Sequence, residues 1–199
     1  SDTDAFFTPA PTRDYHFEPA ADGSGLLTFP SALVTPHPDN NTVRCRFFPA
    51  RRQRARVGPR ESKQSPAVLV MPQWNADADG HVGLCRLLAW NGMSALRLSL
   101  PYHDERMPPE LHRADYIVSA NVARTVQVCR QAVLDARRAI AWLASQGYDR
   151  IGILGTSLGS CLALITTADE PLIRAEALNH ISPRFADVVW RGLSTRHVR

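Results

Sequence analysis

Short apolar runs alternate with helical patterns from residue 67 onward, and this alternation constrains the fold more than any other feature. The apolar runs cover residues 67–71, 94–100 and 151–154, with a weaker run at 175–181. Continuous apolar runs of this length are typical of parallel strands that helices cover on both faces. The sequence therefore predicts an α/β fold with a mostly parallel sheet flanked by helices.

Two helices are predicted between these runs. The first spans residues 81–91 and is closed by Gly92, because glycine readily takes the positive φ at a helix end. The second carries apolar or small residues at alternating spacings of four and three, which predicts one stripe facing the sheet; its members are Val122, Val126, Cys129, Val133, Ala136, Ile140 and Leu143. The remaining face is expected to be solvated and holds Arg124, Arg130, Arg137 and Arg138.

The N-terminal part of the chain has a different pattern. Residues 26–34 and 42–48 have strand character and flank a turn-forming stretch, which predicts an antiparallel pair. Residues 1–25 show no sustained period, so we expect an N-terminal arm that lies over the domain or frays. Residues 26–199 are then one core, since 199 residues with 44% hydrophobic content suit a single domain.

Composition and charge bear on which partners are expected. The net charge of +4 comes from 22 arginines and one lysine against 19 acidic residues. The arginine-rich run at 51–60 has no interleaved aromatic residues, so we interpret it as a solvated loop and expect no nucleic-acid partner; nucleic-acid binding through this run is the weaker alternative. No apolar run approaches the ~20 residues that a membrane span needs, and no basic-then-apolar leader opens the chain. A soluble, cytoplasmic protein without a membrane partner is expected.

Neither metal nor cofactor is predicted. The four cysteines, Cys45, Cys85, Cys129 and Cys161, are widely spaced, which favours free thiols over a disulfide framework or a zinc site. Residues 75–80 imitate the first half of a calcium loop, but Arg86 stands where such a loop needs glutamate. These acidic residues are therefore interpreted as a turn before a helix.

The motif G-x-S-x-G follows the 151–154 run directly and precedes an apolar helical pattern; it reads Gly155-Thr156-Ser157-Leu158-Gly159. A serine hydroxyl is a weak nucleophile, so a sharp strand-to-helix turn is needed to hold its Oγ clear and within reach of a base. Small residues on both sides avoid collisions in that turn. Ser157 is predicted to be the nucleophile, with the Leu158 N–H facing the developing oxyanion.

A strand, this motif and a helix, preceded by two strand-helix units, resemble the α/β-hydrolase superfamily over residues 26–181. The pattern is similar to its serine esterases and peptidases of the dienelactone-hydrolase and prolyl-peptidase type. The resemblance implies cleavage of an ester, thioester or amide of a small acyl substrate through an acyl-enzyme on Ser157, without a cofactor. It also implies a second oxyanion donor after the 67–71 run, where Gln73 lies.

The acid and base of this superfamily lie well downstream of the nucleophile, whereas only 42 residues follow Ser157. We therefore expect the chain to be truncated after the strand that follows the nucleophile helix. Within the chain, Asp187 and His197 keep the family order of acid and then histidine, although His197 lies in a polar tail. His180 precedes every later acid and breaks that order.

Three further side chains are candidates for a substrate pocket. His103 and Asp104 follow the 94–100 run, so they lie at the carboxyl edge of the sheet, where open α/β folds bind ligands. They either line a pocket or form a hydrogen-bonded turn. Trp74 either shapes an acyl pocket or packs against the strand end.

A different class of function stays open beside hydrolysis. The chain could be a catalytically inactive α/β-hydrolase-like scaffold or partner-binding domain, because an incomplete sheet leaves the N–H and C=O groups of its edge strand unpaired. Another subunit, including a second copy in a homo-oligomer, would then complete the sheet.

Overall fold

The computed structural model describes residues 3–51, 66–182, 184–192 and 195–196. Within these ranges the chain forms seven strands: β1 His16–Pro19, β2 Gly25–Pro30, β3 Thr42–Phe48, β4 Ala67–Met71, β5 Ser94–Leu98, β6 Ile151–Thr156 and β7 Ile173–Asn179. The described helices are α1 Thr3–Phe6, α2 Val82–Trp90, α3 Val122–Ser145, α4 Leu158–Asp169 and α5 Phe185–Arg191.

The seven strands form one sheet in the order β1-β2-β3-β5-β4-β6-β7. Strands β5, β4, β6 and β7 are parallel, whereas β1, β2 and β3 are antiparallel to their neighbours. The predicted α/β fold is therefore confirmed, and so is the antiparallel pair that opens it. Each of the four predicted apolar runs forms a parallel strand, with ends shifted by at most two residues.

Helices cover both faces of the parallel strands, which explains their continuous apolar sequence. On one face Val82, Cys85 and Ala89 of α2 pack against Val70 of β4. On the other face α3 and α4 pack against alternate strand residues, among them Leu69, Met71, Leu96 and Ile153. Successive side chains of β4 thus enter different clusters, as the two-residue period of a strand requires.

The apolar stripe of α3 packs as predicted only along its later turns. Val133, Ala136, Ile140 and Leu143 are fully buried, whereas Val122 and Val126 are 72% and 49% exposed. A helix of 24 residues is about 36 Å long, roughly twice the length of the five-residue strand beneath it. The first turns of α3 therefore have no strand to pack against, and the prediction of a sheet-facing stripe is wrong for them.

Three arginines of α3 hold the N-terminal arm rather than facing solvent. Arg138 is buried and donates to the carbonyl oxygens of Ala10 and Pro30, both at 2.8 Å. Arg130 Nε donates to Phe6 O at 2.7 Å, and Arg137 Nη1 donates to Phe7 O. The arm thus lies over the domain, and it also adds β1 to the sheet.

Arg106 and Asp135 form an ion pair in the interior, with both side chains fully buried and Nη2 2.8 Å from Oδ2. Arg106 also donates to the carbonyl oxygens of Ser99 and Asn40 at 2.9 and 2.8 Å. The other carboxylate oxygen of Asp135 accepts from Ser31 Oγ at 2.9 Å. The pair ties α3 to the segment after β5 and to the turn before β3.

All four cysteines are free, with Cys45 and Cys85 buried, and burial raises the pKa of the Cys85 thiol to about 12. No described helix combines the length and the apolar character that crossing a lipid bilayer requires. The arginine-rich run lies outside the described residues from residue 52 onward.

Asp135→Asn is expected to lower the free energy of unfolding by about 3 kcal/mol, because it leaves the buried guanidinium of Arg106 without a counter-charge. Urea denaturation followed by circular dichroism measures this loss. The control is Glu105→Gln, which removes an exposed partner of Arg44 and should cost no more than about 1 kcal/mol. Equal losses for the two variants would contradict the importance of the buried pair.

Candidate active site

The parallel strands β4, β5, β6 and β7 end at the same edge of the sheet, and each is followed there by a segment of candidate site residues. Residues 72–81 follow β4, residues 99–121 follow β5, Ser157 follows β6 and His180 follows β7. The predicted nucleophile, oxyanion and pocket residues therefore lie along one edge because of the sheet topology.

Ser157 is the single residue between β6 and α4. Its backbone has φ 53° and ψ −117°, a positive φ that non-glycine residues rarely adopt. The Ser157 N–H donates to Asn179 O of β7 at 2.8 Å, and Ser160 Oγ donates to the same oxygen at 2.7 Å. This is the sharp strand-to-helix turn that the motif predicts, and β7 holds it in place.

The two glycines of the motif are required by close backbone approach. A Cβ atom on Gly155 would lie 2.6 Å from the Cα of Ser160. A Cβ atom on Gly159 would lie 2.5 Å from the carbonyl oxygen of Pro72 and even closer to that of Met71. The start of α4 therefore packs directly on the end of β4, at a distance that only glycine permits.

Gly159→Ala is expected to destabilise the protein by about 3 kcal/mol, or to displace the turn, because backbone atoms cannot yield as a side chain can. The matched control is Gly83→Ala in α2, where an added Cβ meets nothing within 4 Å. That change should stabilise by about 0.5–1 kcal/mol through helix propensity. Thermal unfolding of both variants measures the difference, and a stable Gly159→Ala protein with an unchanged backbone would contradict the close contact.

Two backbone amides are candidates for an oxyanion hole. Leu158 is the first residue of α4, so its N–H lies at the positive end of the helix. Gln73 is the second residue after β4, beside the Pro72 carbonyl that Gly159 approaches. No residue in the described ranges accepts a hydrogen bond from either amide. The structure thus brings both donors into neighbouring segments, and their role stays a prediction.

The segment after Gln73 is held by the long excursion between β5 and α3. Trp74 is half-buried, and its Nε1 donates to Ala114 O at 2.9 Å. The Arg113 guanidinium lies 5.0 Å from the centre of the Trp74 ring. Asn75 Oδ1 accepts from the Ala114 N–H at 2.8 Å. Trp74 therefore anchors the predicted oxyanion segment, and a contact with substrate stays a prediction.

His103 and Asp104 lie in a buried turn. His103 Nδ1 donates to Pro101 O at 2.9 Å, and its Nε2 accepts from the Asn75 N–H at 3.0 Å. Both ring nitrogens are therefore used by the protein itself. Burial lowers the pKa of His103 to about 4, so the ring is neutral at pH 7. Asp104 Oδ2 pairs with Arg97 Nη1 at 2.9 Å, also in the interior. This geometry is that of the hydrogen-bonded turn. Asp104 also lines a polar groove, and a contact of either residue with substrate stays a prediction.

The low pKa of His103 predicts acid destabilisation. An unfolded histidine binds a proton near pH 6.5, whereas folded His103 does so only near pH 4. Because the unfolded chain binds more protons in this window, the free energy of unfolding should fall from pH 6.5 to 4, by up to ~1.4 kcal/mol per pH unit. His103→Gln should remove this part of the pH dependence in urea titrations. The exposed His16→Gln should retain it, and equal slopes for all three proteins would contradict the assignment.

The candidate acid and base are not joined to Ser157 by any described contact. Asp187 lies on α5, where its Oδ2 is 3.8 Å from Arg184 Nη1. His197 lies outside the described residues. His180 is exposed and has a positive φ of 64°, one residue beyond the Asn179 that pairs with Thr156. The roles of Asp187 and His197 stay predictions.

His81 contacts the nucleophile turn although its sequence position indicated only a helix start. It is the N-cap residue of α2, has φ 69°, and its Nε2 lies 3.0 Å from Thr156 Oγ1. No local pattern could have indicated this contact, because the two residues are 75 positions apart.

A polar groove of about 490 Å³ lies away from this turn, beside β1, β2 and β3. Three of the arginines that line it are paired with acids: Arg44 with Glu105 and Arg46 with Asp79, both at 3.0 Å, and Arg97 with Asp104 at 2.9 Å. Ser157 does not line the groove.

No protein-family model matches this sequence, and none of the curated proteins matches it. Solved structures match over most of the chain. The acetyl xylan esterase 1 from Thermoanaerobacterium sp. superposes with a TM-score of 0.64 at 13% identity, covering 100% of this chain and 69% of that one. The chain has the α/β-hydrolase fold.

Two more structures of this fold are similar. The acetyl xylan esterase from Paenibacillus sp. R4 has a TM-score of 0.58 at 16% identity, covering 88% of this chain and 56% of its own. A cold-adapted esterase from an Arctic intertidal metagenomic library has a TM-score of 0.52 at 18% identity. The match covers 80% of this chain and 62% of the esterase. The chain thus spans between 56% and 69% of the length of these three esterase structures.

Proposed function

We propose that this protein is a serine hydrolase that cleaves a carboxylic ester through an acyl-enzyme on Ser157. The observation that carries the proposal is the backbone of Ser157, with a positive φ between a buried strand and a helix start and a close-packed glycine on either side. Such strain persists only where the surroundings hold it, and it presents the serine Oγ at the edge of the sheet.

The proposed reaction runs in two steps. Ser157 Oγ attacks the carbonyl carbon while a base takes its proton, and the carbonyl oxygen becomes an oxyanion that accepts hydrogen bonds from the amides of Leu158 and Gln73. Collapse of this intermediate expels the alcohol, which receives the proton and leaves the acyl group on Ser157. Water then attacks the acyl-enzyme in the same way and releases the carboxylic acid.

Asp187 and His197 are the acid and base that this chain offers for the reaction. Their order after Ser157 supports this assignment. In the role proposed, Asp187 would orient the His197 imidazole, which would take the proton from Ser157. Asp187→Asn and His197→Gln would each then lower kcat strongly and leave KM nearly unchanged. If kcat were unchanged in both variants, other residues would have to act as the acid and the base.

An ester is the substrate class that the solved relatives favour. Their names describe acetyl xylan esterases and a cold-adapted esterase, so we propose a small acyl group, with Trp74 beside the oxyanion segment as a wall of the acyl site. A cytoplasmic location and the absence of nucleic-acid and membrane partners remain part of the proposal. No cofactor is needed, because acyl transfer to water uses only protein groups.

Ser157→Ala is expected to lower the turnover of p-nitrophenyl acetate at least about 1,000-fold, because it removes the nucleophile. A fluorophosphonate probe should label the wild-type protein at Ser157 and leave this variant unlabelled. Ser145→Ala, at the end of α3, is the matched control and should label and turn over as the wild type does. Turnover that survives Ser157→Ala would contradict the acyl-enzyme.

The alternative is a scaffold that binds a partner through the open edge of the sheet. Strand β7 is at the edge of the described sheet, and Arg174, Ala175, Glu176 and Ala177 in it are exposed. Another subunit, including a second copy, would pair with this strand. A protein without turnover or labelling whose mass by light scattering rises with concentration would favour the scaffold.

A further inference from the structure

We propose that His81 is a positioning residue for the nucleophile, holding the turn at Ser157 through the hydroxyl of Thr156. This inference rests on the proposed function. His81 Nε2 lies 3.0 Å from Thr156 Oγ1, and Thr156 is the last residue of β6, directly before Ser157. The contact therefore acts on the peptide unit that sets the direction of the serine side chain.

The two faces of β6 are held in different ways. Gly155 faces α4, because a Cβ there would collide with Gly159 and Ser160. Thr156 is the next residue, so its side chain lies on the opposite face, together with Leu154, which packs in the α2 cluster. His81 thus contacts the turn from the α2 side, opposite the close-packed glycines.

Buried Arg97 fixes the loop that carries His81. Its Nε donates to Gly80 O at 2.7 Å, and its Nη2 donates to Asp77 O. The Asp77 carboxylate in turn accepts from the Gly80 N–H at 2.7 Å. The residue before His81 is therefore held from both its carbonyl and its amide side. A histidine on such a loop is a rigid support rather than a mobile surface group.

The electrostatic surroundings keep the His81 imidazole neutral. Burial lowers its pKa, and the positive charge of Arg97 lowers it further. Its Nδ1 is buried without a hydrogen-bond partner among the described residues. A proton on Nδ1 would be an unsatisfied buried donor, which is costly. We therefore expect the proton on Nε2, from which it is donated to Thr156 Oγ1.

A positioning role predicts a loss of kcat rather than of substrate affinity. The substrate would bind the same surroundings in a variant without the contact, whereas Ser157 Oγ would spend less time in the attacking geometry. Thr156→Val keeps the shape and removes the hydroxyl, and should lower kcat about 10-fold or more with KM within about twofold. Thr156→Ser keeps the hydroxyl and should restore most of the rate.

The test measures kcat with p-nitrophenyl acetate in variants of His81 and of Thr156. Thermal unfolding first identifies a temperature at which every variant is folded. His81→Asn tolerates the positive φ but is too short to reach Thr156, whereas His81→Gln reaches it. The double variant His81→Asn with Thr156→Val should lose no more rate than either single variant. Unchanged kcat in the single variants, or losses that multiply in the double variant, would overturn the role of His81.

A measurement on the wild-type protein covers the case in which a variant fails to fold. Long-range ¹H–¹⁵N NMR should show the His81 ring neutral at pH 7 with its proton on Nε2. A protonated ring, or one that averages between tautomers, would overturn the inference. Wild-type protein without turnover dependent on Ser157 would instead contradict the proposed function, so the two failures are distinguishable.

Discussion

The buried pair of Arg106 and Asp135 is the interaction on which the rest of the carboxyl edge depends. It fixes the start of the excursion between β5 and α3 against the centre of α3. That excursion supplies Ala114 O to the Trp74 indole and His103 Nε2 to the Asn75 amide. The ion pair does not touch the segment that contains Gln73, the predicted oxyanion donor. It stabilises that segment indirectly, through the excursion that makes these two hydrogen bonds.

Close approach of backbones holds the nucleophile, and buried charge holds the segments around it. Glycine at 155 and 159 lets α4 rest on β4 and β6, while β7 accepts the Ser157 amide. On the other face of the sheet, Arg97 stabilises the turn before His81 by donating hydrogen bonds to two of its carbonyl oxygens. A strained backbone persists only where contacts from several directions over-determine it, and here those contacts come from three strands and one histidine.

The sequence predicted the sheet well because its information is local. Four apolar runs became parallel strands, and a motif of five residues located the turn at Ser157. Prediction was poorer where a side chain's role depends on distant neighbours. The arginines of α3 have the spacing of a solvated face, yet Arg138 is buried under the N-terminal arm. The stripe on α3 begins at Val122, but the strands it would cover are too short to reach that turn.

The sequence by itself determined the α/β class and the position of Ser157, because apolar periodicity and a glycine-flanked serine are properties of contiguous residues. Only the tertiary structure decided that His103 and Asp104 belong to a buried turn, that Trp74 is anchored by Ala114, and that His81 meets Thr156. Each of these contacts joins side chains or carbonyls brought together by the order of strands in the sheet. The spacing of residues along the chain does not predict such pairs, because these hydrogen bonds join residues that are far apart in sequence and close only in the folded protein.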